Sequence, residues 1–283
     1  MTPSASPKGI VFTDLDGTLF RSDRTLSAEN RSVLEKLPAQ KIIRVVATGR
    51  SFTSFLQAAG ADFPADYVIF STGAGVASLS NREILKTAAL DRAAIFQTMD
   101  VLRRTKLDFM LHHPIPENHR FSYEHNGEQN PDFMTRIKEH GDWGKPFSSD
   151  ESWEYASQFV AIIPPWRGVE PVDTVRASLS DMSVIRATSP FDHQSTWMEI
   201  FPAQVSKSHA AGWLCAFLGV SPKQTMAIGN DYNDLDLLEM SPNPFVVANA
   251  PMELVHRFPK VPDNDHDGVA TAISAWSNRS GAD

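Results

Sequence analysis

Asp14 and Asp16 stand one residue apart in "FTDLDGTLF", at the end of an apolar run and directly before Gly17. Unperturbed aspartates titrate near ~3.9, so both are expected to be ionised at neutral pH. Two such charges ~4 Å apart repel by about 4 kcal/mol at an effective dielectric of 20. A cation turns that cost into attraction, and oxygen ligands on a short turn suit Mg²⁺. The plain alternative is one aspartate capping the turn and the other solvated. Polar groups at equivalent places elsewhere favour chemistry: Thr48 in "VVATGR" and Thr72 in "DYVIFSTGA".

These residues need elements that bring them together. "GIVFTDLD", "KIIRVVATGR" and "DYVIFSTGA" read as strands. "LSAENRSVLEKL" reads as a helix between the first two, with Ser27 as its N-cap, and "SFTSFLQAAGA" as another. Strands separated by helices predict a parallel sheet with right-handed crossovers. Ligands of such sheets bind beyond the carboxyl ends of the strands, where Asp14, Thr48 and Thr72 fall. The middle of the chain departs from this pattern. "LDFMLHHP" and "HRFSYEH" read as adjacent antiparallel strands. They are followed by helical "PDFMTRIKEHG", strand "SQFVAIIPP", helical "VEPVDTVRASLSD", and strands "MSVIRATS" and "TWMEIFPA". That order predicts a separate α+β lobe. Alternation then resumes with "SHAAGWLCAFLG" (helix), "TMAIGN" (strand), "DLDLLEM" (helix) and "PFVVANA" (strand). The chain is therefore expected to be α/β. Residues 1–81 and 194–283 form one core, and 82–193 an inserted lobe.

The totals narrow the function classes. A length of 283 residues suits two lobes, and 42% hydrophobic with 21% charged residues is ordinary for a globular protein. A net charge of -8 argues against a general nucleic-acid binder. No apolar stretch approaches the ~20 residues of a membrane helix. The polar N-terminus "MTPSASPKG" lacks a signal core. The single cysteine, Cys215, is expected to fill core space, in keeping with a cytoplasmic location.

The four signatures in order make the chain resemble the haloacid dehalogenase (HAD) superfamily of phosphohydrolases. "DLDGTL", "VVATGR", "VSKSHAAGWL" and "AIGNDYNDLDLL" stand where that superfamily carries its first to fourth motifs. The long insert and the late stretch "DNDHDGVATAI" are similar to its Cof-type branch with a large cap. The resemblance implies a Rossmann-like parallel-sheet core with an inserted α+β cap. It implies a Mg²⁺-dependent phosphatase acting on a small phosphorylated metabolite, a sugar phosphate for example, through an aspartyl-phosphate. Asp14 is then the nucleophile and Asp16 the general acid and base. Thr48, Gly49, Arg50 and Lys207 are placed at the phosphate. Asp14, Asp16 through its main-chain carbonyl, and the fourth-signature residues Asn230, Asp231 and Asp234 are placed at the metal.

The fourth signature departs from the family's usual Gly-Asp, since Gly229 is followed by Asn230. Asn230 keeps the position, and Asp231 or Asp234 is left to supply the charge. Thr72-Gly73-Ala74 stands where the family has Asn-Gly-Ala, which makes Thr72 a candidate pocket residue. His112 and His113 are adjacent on a predicted strand and point to opposite faces, so they are poor joint zinc ligands. Trp143 and Trp153 are read as loop packing, with substrate contact as the alternative. Two other functions stay in view. A phosphomutase would need a basic cap pocket for a second phosphate, which "HHPIPENHRF" does not spell out. A phosphoryl-sensing module without turnover has only the Asn230 substitution in its favour.

Overall fold

A computed structural model describes residues 6–148 and 152–280. The chain divides into two compact units. The first comprises the chain up to Arg50, Ser54–Lys86 and the chain from Ser206 onward; the second comprises Ser51–Thr53 and Thr87–Val205.

The first unit is built on an eight-stranded sheet. Its order is Lys260–Val261, Asn243–Val247, Thr225–Gly229, Gly9–Thr13, Ile42–Ala47, Tyr67–Phe70, Gly75–Ser78 and Ile84–Thr87. Gly9–Thr13 lies inside the sheet, parallel to both neighbours, with Thr13 opposite Val46 on one side and Ile228 on the other. It is buried throughout, which is why its sequence reads as a continuous apolar run rather than an alternation. Ile10, Phe12, Val45, Ala47 and Ile69 pack against Ala210, Ala211, Leu214 and Cys215 of the helix Lys207–Leu218. The helix Ala28–Lys36 begins where expected, Ser27 accepting the Asn30 amide at 3.0 Å. The sheet is mixed rather than wholly parallel: Gly75–Ser78 runs antiparallel to Tyr67–Phe70.

The second unit has a six-stranded sheet in the order Met182–Thr188, Thr196–Pro202, Gln158–Ile163, Asp108–His112, Phe121–Glu124 and Gly144–Pro146. Its pairs are antiparallel except the last, which is parallel. Helices Arg92–Arg104 and Glu170–Ser178 send Ile95, Leu102, Val172 and Val175 into a core with Phe109, Leu111, Phe159 and Ile200. This is the expected α+β lobe with different limits. The sequence boundary at 193 falls between Met182–Thr188 and Thr196–Pro202, which pair over their whole length and cannot be parted. The unit therefore runs to Val205.

Candidate active site

Asp14 follows the last residue of the central strand, and its amide donates to the Ile228 carbonyl at 2.9 Å. Lys207 opens the helix Lys207–Leu218, and Asp234 lies in the turn preceding the helix Leu235–Met240. The Lys207 Nζ donates to Asp14 Oδ1 at 2.7 Å and to Asp234 Oδ1 at 2.6 Å. Lys207 and Asp234 are fully buried and Asp14 nearly so. Burial and the nearby Asp234 push the Asp14 carboxyl up to about 7, while Lys207 works in the opposite direction. For Lys207, burial opposes the charge, but the two carboxylates hold the ammonium above lysine's ordinary value. The cation is thus locked in place, and one carboxylate of the crowded region has lost part of its preference for ionisation.

Asp16 is treated differently. Arg50 forks its carboxylate, Nε to Oδ2 at 2.7 Å and Nη2 to Oδ1 at 2.6 Å. This pairing raises the Arg50 pKa, the bond to Asp16 outweighing burial. Arg50, expected at the phosphate, is paired with Asp16 in this structure. The likeness between "TGR" and a phosphate-binding motif could not reveal that partner. Thr48 is buried at the end of Ile42–Ala47, and its Oγ1 accepts the Arg50 amide at 3.1 Å. That leaves the hydroxyl hydrogen to donate elsewhere. Gly49 lies between them, partly exposed.

Asp234, expected among the metal ligands, has both carboxylate oxygens in hydrogen bonds. Beyond Oδ1 on Lys207, its Oδ2 accepts the amides of Asn230 and Asp231 at 2.9 and 3.1 Å. With both oxygens engaged, it shapes the loop and orients the lysine. Asn230 packs against the first-signature turn: a Cβ on Gly17, whose φ is +73°, would stand 2.5 Å from the Asn230 amide nitrogen. Thr72 is buried in a left-handed conformation, φ 52°, and its amide donates to the Thr48 carbonyl at 3.0 Å. The adjoining Gly73 has φ +105° and presses on Ser206, whose carbonyl oxygen would be 2.2 Å from a Cβ there.

Two supporting residues escaped the sequence reading. Asn249 donates to the Gly17 carbonyl at 2.8 Å and accepts the Asn264 amide at 3.2 Å, linking the acidic turn to the late segment. Asp236 accepts the Ser208 hydroxyl at 2.6 Å and so ties the helix carrying Lys207 to Leu235–Met240. The third acid of "DYNDLDLL" was the available signal for Asp236. Asn249 had none.

Among the described residues, no three histidine, cysteine or acidic side chains gather as a metal-binding group. The oxygen donors near the turn are of another kind: Asp14 Oδ2, which no described residue bonds, main-chain carbonyls of the turn, and Asn230, whose side-chain amide packs against Gly17. One or two carboxylates with neutral oxygens and retained waters is the ligation Mg²⁺ accepts. The donor set fits that ion.

A family model for haloacid dehalogenase-like hydrolases matches residues 11–273. The chain belongs to that family. Among curated relatives, it is 25% identical over 282 residues to the 5-amino-6-(5-phospho-D-ribitylamino)uracil phosphatase YwtE of Bacillus subtilis, covering 93% of this chain and 96% of that one. The fold is that of the phosphatase BT1666 from Bacteroides thetaiotaomicron, with TM-score 0.78 at 19% identity and 98% of both chains covered. It also matches the subclass IIB sugar phosphatase BT4131, with TM-score 0.74 at 17% identity, over 95% of this chain and 99% of that one. The haloacid dehalogenase-like assignment bears out the resemblance carried by the four signatures.

Proposed function

We propose that this hydrolase is a Mg²⁺-dependent phosphatase of small phosphorylated metabolites, with Asp14 as nucleophile and Asp16 as general acid and base. The observation that carries the reading is the buried Lys207 ammonium 2.7 Å from one oxygen of Asp14, at the end of the central strand. A lysine so placed orients the carboxylate and offers positive charge where a phosphoryl oxygen would develop negative charge. YwtE and BT4131 are named for a phosphorylated ribityl compound and for sugar phosphates, which favours substrates of that size.

In this mechanism a carboxylate oxygen of Asp14 attacks phosphorus, a new O–P bond forms and the ester P–O bond breaks. Asp16 gives its proton to the leaving oxygen. It then takes one from the water that attacks the aspartyl-phosphate, releasing phosphate and restoring Asp14. The Arg50 fork holds the Asp16 carboxylate in a fixed orientation for both proton transfers. The Thr48 hydroxyl and Lys207 hold phosphoryl oxygens. Mg²⁺ held by Asp14, the Asp16 carbonyl and Asn230 or Asp231 would neutralise charge gathered on the phosphoryl group.

Phosphate release from an aryl phosphate and a panel of sugar phosphates tests this reading, with Mg²⁺, with chelator, and in Asp14→Asn. Release that needs the metal and is abolished by the substitution is expected. Undiminished release in Asp14→Asn would refute the nucleophile.

A further inference from the structure

A cavity of about 550 Å³ opens in the first unit, at the end of its sheet away from Asp14. The register fixes that end. Gly9 stands opposite Ile42 and Thr13 opposite Val46, so Ile43 and Arg44 lie near the start of a strand whose finish is level with Asp14. Tyr67, which begins Tyr67–Phe70, pairs with Ser78, the last residue of the antiparallel Gly75–Ser78. Ligands of parallel sheets bind beyond the carboxyl ends of the strands, so the cavity is no part of the candidate active site. Its apolar lining comes from Ile43, Phe55, Leu56, Phe63 and Leu79. Phe63 stands edge-on to Phe55 and to Phe20, at 5.7 and 5.9 Å between ring centroids, and its ring is held there.

The polar lining is partly self-satisfied. Asp66 Oδ2 accepts the Arg44 amide at 2.8 Å and its Nε at 3.0 Å, and Oδ1 accepts Nη2 at 2.7 Å, so these two charges cancel. Ser78 and Ser80 share a hydrogen bond of 3.0 Å. The Arg82 guanidinium and the Tyr67 hydroxyl, by contrast, have no hydrogen-bond or ion-pair partner among the described residues. Two acids close by in sequence, Asp62 and Glu83, do not line the cavity, and Glu83 accepts the Asn81 side-chain amide at 2.9 Å. Burial, followed by the Asp66 charge, raises the Tyr67 pKa, so its hydroxyl keeps its proton at neutral pH. Arg82 also holds a left-handed conformation, φ +57°, which glycine would adopt without strain. An arginine retained at a strained position points to a use for its side chain. One fork of donors and one phenol beside apolar side chains suit a two-oxygen anion carried on an apolar body. A phosphate dianion would call for more than this single uncompensated cation. The volume lies within the range of small-ligand pockets.

We propose that this cavity binds a small carboxylic acid with an aromatic or branched aliphatic body, its carboxylate on Arg82 and Tyr67. Binding there does not depend on the phosphatase reading. The test is an NMR titration of the full-length protein, followed at backbone amides, with naphthoate, its neutral analogue naphthylmethanol and inorganic phosphate, repeated in Arg82→Gly. Saturable shifts at the amides of Leu56, Tyr67 and Leu79 are expected with naphthoate. Its Kd should be about tenfold below that of the alcohol, roughly what one hydrogen bond to a charged group supplies. In Arg82→Gly the two aromatic probes should bind equally, while the urea midpoint stays level or rises because glycine relieves the turn. No saturable shift at these amides, equal affinities for naphthoate and naphthylmethanol in the unaltered protein, or a preference that survives Arg82→Gly would overturn the site. Tighter binding of phosphate than of naphthoate would overturn the ligand class. The comparison of acid with alcohol is made in the unaltered protein, so it decides the matter even if the variant folds poorly.

Discussion

Removing the Lys207 ammonium would leave the carboxylates of Asp14 and Asp234 with no positive charge between them. Breaking a buried ion pair by deleting one partner costs about 3–5 kcal/mol. Lys207→Met is therefore expected to lower urea-unfolding stability by that order and to abolish phosphate release. Arg50→Lys is a subtler change, since lysine keeps the charge and loses the two-pronged hold on Asp16. Steady-state kinetics should show kcat reduced by about 10–100-fold, a partial loss of the ~10²–10⁴-fold that a positioned proton donor contributes. An Arg50→Lys enzyme with full kcat would mean that the fork is incidental. Residue types at this scale were legible: Asp14, Asp16, Thr48 and Lys207 all stand out from their motifs. Partnerships were not. That Arg50 grips Asp16, and that Asp234 exhausts both oxygens on a lysine and two amides, depends on separations of 34 and 27 residues in the chain.

At the level of elements, local chemistry made much of the first unit readable. Apolar runs mark its buried strands, and Ser27 marks the start of Ala28–Lys36. Ser27→Ala should cost about 1 kcal/mol in denaturant unfolding and leave phosphate release as it was. Gly73 is a stricter requirement. Its φ of +105° and the carbonyl 2.2 Å from a would-be Cβ make Gly73→Ala destabilising by more than about 1 kcal/mol in the same assay. It should also weaken activity, because Ser206 precedes Lys207. The antiparallel Gly75–Ser78 was not foreseen, because a short strand of small residues gives no periodic signal. The limit of the second unit was misplaced for a related reason: nothing local in Met182–Thr188 says that its partner strand follows a bend ending past residue 193.

For the whole molecule, acid should act on the second unit through His112. Burial, with Arg136 next in effect, pushes this imidazole down to about 3, so it is neutral in the folded protein at neutral pH. The unfolded chain takes up a proton near ~6.5. Stability contributed by neutral His112 is therefore complete above about 6.5 and lost progressively as pH falls towards about 3, by up to ~1.4 kcal/mol per pH unit. Arg136, His113 and His140 are the other charged or titratable groups acting on it. Urea midpoints measured between pH 7 and 5, where ordinary carboxylates stay ionised, should fall less steeply in His112→Leu. Equal slopes would remove His112 as the cause. The Asp14–Lys207 pair spans 193 residues, and this bears on how the protein is born. At roughly 5–20 residues per second, a ribosome makes Asp14 some 10–40 s before its lysine. During that interval the nascent first strand cannot acquire its ion pair, whatever else has collapsed around it. A polypeptide stalled short of Lys207 should thus be digested readily around Asp14 by added protease, whereas one stalled well beyond Asp234 should resist.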